Sequence, residues 1–304
     1  MADAVFFSAL LIISLGYLLR KTGLVTREQG SGLARLVLNV TLPALVLQTV
    51  PQIQFSPGLL FLPLLSLAHT AVAFVVTSAV FRRRSRMEKG VIMIASMGFN
   101  NGLFAFPIVL EIWGIEAIKL LALFDVGNGI VVLGTNYVLA AYYSREDRMH
   151  LAETLMTVVR TLATSVPLIA FAVGVVMNLA GISFPPMISR AIDIVAGANG
   201  ALALLVLGVF QSLRWRKGDA GLVFKILGLR YLIGIASSVA AVVFLGGPLL
   251  QQQVLAIAFI LPIGMTIIPY SVQFGLDTRL ATTLVNVSII VSFVLMWLTV
   301  AVTG

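Results

Sequence analysis

The chain alternates long apolar runs with short polar punctuation. Runs of about 17–25 residues, the length needed to cross a bilayer core of roughly 30 Å, fall at 4–19, 33–50, 58–81, 90–112, 118–143, 156–179, 195–213, 224–247, 252–274 and 280–302. The pattern predicts an all-α integral membrane protein with ten transmembrane helices. Two of these segments carry the same interruption, Gly102-Leu-Phe-Ala-Phe-Pro107 in the fourth and Gly264-Met-Thr-Ile-Ile-Pro269 in the ninth. Proline lacks an N–H and clashes with the preceding turn, so each helix is expected to stop or unwind before it. Hydrocarbon tolerates broken backbone only where the freed groups meet protein, water or a ligand. Paired breaks in corresponding segments therefore predict a binding site between two repeats, the mark of a secondary transporter.

The repeats are legible when the sequence is shifted against itself. An offset of 158 aligns the stretch from Gly16 to Gly23 with that from Gly174 to Gly181, and Thr41-Leu-Pro43 with Asn199-Gly-Ala201. An offset of 162 superposes the two glycine-to-proline hexapeptides, and 161 pairs Gly114 with Gly275 and Asp125 with Asn286. Each match is weak, but together they keep one order along the chain. Two five-helix repeats, 1–146 and 147–304, explain this, with the polar stretch from Ser144 to His150 as boundary. An odd number of helices per repeat inverts the second copy in the membrane.

Composition reaches the same class independently. With 60% hydrophobic and 11% charged residues and a mean hydropathy of +1.06, the charges cannot cover a water-soluble surface. The net charge of +8 could suggest nucleic acid, but the basic residues gather in alternate links. They cluster after segment 1 (Arg20, Lys21, Arg27, Arg35), after segment 3 (Arg82, Arg83, Arg84, Arg86, Lys89) and around the central link (Arg145, Arg148, Arg160). Others lie after segment 7 (Arg214, Arg216, Lys217, Lys225, Arg230) and before segment 10 (Arg279), leaving only Lys119 and Arg190 opposite. By the positive-inside rule this predicts both termini outside a plasma (inner) membrane and no nucleic-acid partner. Segment 1 carries Asp3 where a signal peptide would be basic, so it reads as a retained helix. There are no cysteines, which excludes thiol chemistry.

The fourth segment places Asn100, Asn101, Gly102 and Pro107 at mid-membrane depth. Two half-helices meeting there, with Gly264 and Pro269 opposite, would aim N-terminal N–H groups at one small volume and favour an anion. Thr266 and Tyr270 flank the ninth-segment break. Asp125 is the one carboxylate read as deep within a helix, where a charge costs about 2.5–3.5 kcal/mol, so it needs a partner, a proton or a role. His69 is read either as a proton relay or as a hydrogen-bonding partner of a neighbouring helix. Gln48, Asn128, Asn136 and Gln273 are further polar residues at depth, and Gly127, Gly129 and Gly134 read as packing positions.

Asn100-Asn101-Gly102-Leu-Phe-Ala-Phe-Pro107 resembles the Asn-x-Gly-x-x-Gly-x-Pro stretch of the auxin efflux carrier family, which includes plant PIN-type carriers and bacterial dicarboxylate permeases. Val40-Thr-Leu-Pro43 and Gly200-Ala-Leu-Ala-Leu-Leu-Val-Leu-Gly208 resemble its other recurring stretches, and the likeness runs over essentially the whole chain. The resemblance implies ten helices in a 5+5 inverted repeat. Segments 1, 2, 6 and 7 would form a scaffold, and segments 3–5 and 8–10 a transport domain whose segments 4 and 9 cross at their breaks. It implies that Asn100 binds a substrate carboxylate and that Asn199 supplies a facing amide. Ala105 and Ala201 depart from the family's glycine and proline, and the long central loop of plant carriers is missing. Small organic acids are therefore the expected substrates, with protons or sodium as coupling ion, no cofactor or metal site, and a homodimer left open.

Two rival readings come from other classes. Phe124-Asp125 with Gly275-Leu-Asp277 resembles the paired aspartates of an intramembrane protease, but the second motif lacks its last glycine and Asp277 falls in a predicted loop. A channel would need a continuous polar pore, which the isolated polar residues do not provide. The sequence holds no His-Glu-x-x-His, Gly-x-Ser-x-Gly or Walker A motif, so the protein is expected not to be an enzyme and to run on a gradient.

Overall fold

The computed structural model describes residues 2–54, 59, 61–144, 150–212 and 220–303, all helix and connection with no strand among them. In chain order the α-helices are α1 (Ala2–Lys21), α2 (Arg27–Leu36), α3 (Leu42–Thr49), α4 (Phe61–Val80), α5 (Arg86–Ser96), α6 (Phe106–Ile130), α7 (Asn136–Tyr142) and α8 (Leu151–Ala163). They continue as α9 (Val166–Ala180), α10 (Pro186–Gly197), α11 (Asn199–Phe210), α12 (Ala220–Leu245), α13 (Leu249–Ala258), α14 (Ile267–Gln273) and α15 (Thr278–Thr303). Single π-helical turns join α2 to α3 (Val37–Thr41), lead into α6 (Asn101–Ala105) and join α6 to α7 (Val131–Thr135).

Among the described residues seven helical stretches are long and apolar enough to cross a membrane, or eight if the α8–α9 pair, bent by 55°, is one span. The shortfall from ten has local causes. The run 90–112 is divided, because α5 ends at Ser96 and residues 97–100 are not helical; the run 252–274 is divided between α13 and α14 across residues 259–266. Segments 4 and 5 are joined without a loop, since the chain turns at Gly114, whose φ of 71° interrupts α6. Only glycine takes that conformation freely. The proposed repeat boundary at 145–149, with Arg145 and Arg148, and the positions Arg214, Arg216 and Lys217 lie outside the described residues.

Local signals set the helix ends. Thr26 with Gln29 and Ser85 with Glu88 form capping boxes that start α2 and α5. Asp277 accepts from the N–H groups of Arg279 and Leu280 and starts α15. The outer faces are strongly apolar, with Phe7, Val176, Met187, Val243, Phe244 and Val302 all exposed, which only a hydrocarbon environment makes favourable.

α1 lies along α11, so close that a Cβ on Gly208 would stand 2.0 Å from the Ile13 carbonyl oxygen, and one on Gly16 2.2 Å from that of Leu205. Small residues of this kind let membrane helices approach where no hydrophobic force drives them together. α3 packs on α9 and α10; α4 packs on α6 and α12, α12 on α13, and α15 on α14. One large buried core draws on helices throughout the chain, with Phe104, Phe124 and Phe259 fully enclosed.

Candidate functional site

The two breaks meet. The Asn100 N–H donates to the Pro262 carbonyl at 2.9 Å, joining one unwound stretch directly to the other. Buried backbone groups must find partners, and in both stretches side chains supply them. Asn128 holds both groups of Phe99, its Oδ1 accepting from the N–H at 2.7 Å and its Nδ2 donating to the carbonyl at 3.0 Å. Asn136 donates to the Met97 carbonyl. In the second break Ser288 accepts from the Ile263 N–H, and Ser292 donates to the Ile260 carbonyl. Gly98 turns the first break at φ 78°, with Val132 2.7 Å from where a Cβ would stand.

Arg230 is the centre of this arrangement, and sequence reasoning missed it by counting it among loop charges. It lies inside α12, 2% exposed, with Nη1 donating to the Ala95 carbonyl at 2.9 Å and Nη2 to those of Gly98 and Leu261 at 2.8 and 3.1 Å. Its guanidinium carbon stands 5.0 Å from the centre of the Phe99 ring. The signal was available: apolar residues surround it on both sides, from Ile226 to Ile233. A lone cation in such a run is an intramembrane charge, not a loop marker.

Beside the breaks opens a cavity of about 390 Å³. One wall is Phe99 to Leu103, Asp125, Asn128 and Gly264 to Thr266; the facing wall is Asn39 from the turn between α2 and α3, with Thr161, Thr164 and Ser165 at the α8–α9 bend. Asn101 and Asn128 both donate to Oδ1 of Asp125, at 2.6 and 2.8 Å. Asn100 caps the following turn by accepting from the Leu103 N–H, which leaves its own Nδ2 buried without a partner. Asn101 Oδ1 and Thr266 Oγ1 are likewise buried and unpaired. The helix that begins at Asn101 thus has its N-terminus in the cavity wall, which also includes Asn100 and Thr266, the residues that hold an unpaired amide nitrogen and an unpaired hydroxyl.

A family model described as Membrane transport protein, the auxin efflux carrier family, matches residues 5–300. The chain belongs to this family. It is also similar to an uncharacterized transporter of Methanothermobacter thermautotrophicus, 26% identical over 298 residues that cover 94% of this chain and 93% of the relative. A second uncharacterized transporter, from Methanocaldococcus jannaschii, is 20% identical over 287 residues, 89% of each chain.

The transporter does not gather every residue singled out from sequence. Asn100, Asn101, Gly102, Asp125, Gly264 and Thr266 line the cavity; Asn199, Tyr270, His69, Pro107 and Pro269 do not. Asn199 is fully buried between helices, where its Oδ1 accepts from Thr41 Oγ1 at 2.9 Å. Tyr270 packs edge-on against Tyr137, and the Pro107 ring approaches Gly200. His69 Nδ1 and Ser237 Oγ are 2.9 Å apart, and the His69 ring sits between those of Phe99 and Phe259. Pro107 stands in the first turn of α6 and Pro269 within α14, each downstream of its break. The transporter's facing wall is therefore Asn39 and the hydroxyls at 161, 164 and 165 rather than Asn199. That cluster ends at Pro167, a polar-then-proline interruption of an apolar run that could have been read like the other two. Asp277, the second aspartate of the protease reading, is exposed at the start of α15 and does not line the cavity.

Proposed function

We propose that the protein is a secondary active transporter of small organic anions, mono- or dicarboxylates, working by elevator-type alternating access with proton coupling. The observation that carries this reading is that two residues of the cavity wall at a helix N-terminus, Asn100 and Thr266, hold buried donors without partners, Nδ2 and Oγ1. Buried polar atoms are nearly always satisfied, so unpaired donors on the residues of a cavity wall mark where a ligand's oxygens belong. Asp125 in the same cavity gives the coupling its logic. An ionised Asp125 repels an anion bound beside it, and a proton on it removes that repulsion, so anion and proton favour each other's binding.

The reading counts ten crossings in a 5+5 inverted repeat, with the breaks dividing two of them. Two contacts support it. Asn100 and Pro262 are 162 residues apart, the offset that superposes the glycine-to-proline hexapeptides, and they are hydrogen-bonded. Thr41 and Asn199, equivalent at the offset of 158, are hydrogen-bonded too. Residues related by a two-fold axis touch each other only where that axis passes. The scaffold would be α1–α3 with α8–α11, and the moving body α4–α7 with α12–α15; the cavity has one wall from each, as a site that slides along a fixed partner requires.

Purified protein screened for thermal shift against mono- and dicarboxylates tests the ligand class. Asn100→Ala should weaken binding at least tenfold, about 1.4 kcal/mol, while the protein stays folded. Asp125→Asn should still bind and exchange substrate in liposomes yet fail to accumulate it under an imposed pH gradient. Unchanged affinity in Asn100→Ala overturns the site, and gradient-driven uptake by Asp125→Asn overturns the coupling.

A further inference from the structure

Three main-chain carbonyls surround the Arg230 guanidinium: Ala95 in the last turn of α5, Gly98 in the first break and Leu261 in the second. The first two belong to a helix C-terminus and its continuation, the negative end of the dipole, and Gly98 and Leu261 converge on the same nitrogen. Among the described residues Arg230 has no carboxylate partner, so carbonyl oxygens and the Phe99 ring are what offset its charge. Unwound carbonyls and half-helix C-termini at a break are the ligands with which transporters hold a soluble sodium ion. Here a positive charge fills that position from within the chain.

We propose that Arg230 is a tethered, non-exchangeable cation occupying the carbonyl cage of the two breaks, so that this protein works without bound sodium and leaves the proton as the cation to which it couples. The charge, not merely the hydrogen bonds, is what the arrangement uses. Burying a guanidinium carries a heavy desolvation cost, and a neutral donor would satisfy carbonyls more cheaply. The charge is also connected to the cavity. Nη2 donates to the Gly98 carbonyl, the same peptide's N–H on Phe99 donates to Asn128 Oδ1, and Asn128 Nδ2 donates to Asp125. Every donor in that series points the same way, each strengthening the next, so the Arg230 charge is linked to the cavity wall through one peptide and one amide.

The inference rests on the transporter reading for the meaning of coupling, but its test needs no substrate and can fail separately. The unfolding midpoint of substrate-free wild-type protein should stay the same when choline chloride is replaced by sodium chloride at constant ionic strength. Arg230→Gln should fall by about 5–10 °C and recover part of that loss with millimolar guanidinium or sodium chloride, but not with choline. Arg230→Lys should fold, keep most of the midpoint and remain indifferent to sodium, which holds the proposal to account even where Arg230→Gln does not fold. Specific stabilisation of the wild type by sodium overturns it. So does an Arg230→Gln protein that neither guanidinium nor sodium stabilises, which would make Arg230 a hydrogen-bonding pin only.

Discussion

At the scale of single residues, the site is a problem of matching donors to acceptors. Asn100 and Asn199 each spend their oxygen on a protein partner, the Leu103 N–H and Thr41, and each has a buried Nδ2 without one, but Asn100 lines the cavity and Asn199 does not. Asn199→Ala should therefore lower the unfolding midpoint, at about 1–2 kcal/mol for the lost contact, and leave substrate affinity untouched. An equal loss of affinity in Asn199→Ala and Asn100→Ala would put the binding site elsewhere. The difference between the two asparagines was invisible in the sequence, because each sits near a helix interruption and only the fold decides which side opens. Asp125 was legible, since a deep carboxylate stands out in an apolar run. Arg230 is as deep, and was hidden by Lys225 nearby, which made it look like one more charge of a loop.

At the scale of elements, the glycine-to-proline hexapeptides marked the correct segments but not the agents of the break. The unwound residues 97–100 and 259–266 lie upstream of Pro107 and Pro269, and the side chains that satisfy them come from other helices: Asn128, Asn136, Arg230, Ser288 and Ser292. Pro107 follows the π-helical turn Asn101–Ala105 rather than the unwound stretch itself, and the helix is already under way when the chain reaches the proline. Pro107→Ala should accordingly leave the break in place and transport close to wild type. Asn128→Ala strands the N–H and carbonyl of Phe99 in the core, about 1–3 kcal/mol for each, and frees Asp125 of one donor, so it should lose both stability and uptake. Uptake measured beside unfolding midpoints checks this; a Pro107→Ala protein more impaired than Asn128→Ala would return the break to the proline. Long-range support of this kind has no local sequence signature.

For the whole molecule, the question is which end faces which compartment. Trp297 Nε1 donates to Asp3 Oδ1 at 2.7 Å, so the start of α1 and the last turns of α15 share one end of the bundle. The opposite end, about 30 Å away along the twenty residues of α1, gathers the basic links. There Arg20 donates to the carbonyls of Val209 and Gln211, and Lys225 lies 5.4 Å from the Phe81 ring. Arg86 donates to the Tyr142 carbonyl, and a Cβ on Gly90 would touch Leu276 and Tyr143. The fold thus brings to a common end the links that the sequence separated by charge, even with Arg230 removed from their number. If positive charge sets orientation, that end is cytoplasmic. A reporter active only outside the cytoplasm should then work when fused after Gly304 and fail when inserted between Arg82 and Arg86. The reverse result would turn the molecule over, and the same result at both positions would put Gly304 and the Arg82–Arg86 link on one side, against the ten crossings of two equal inverted repeats.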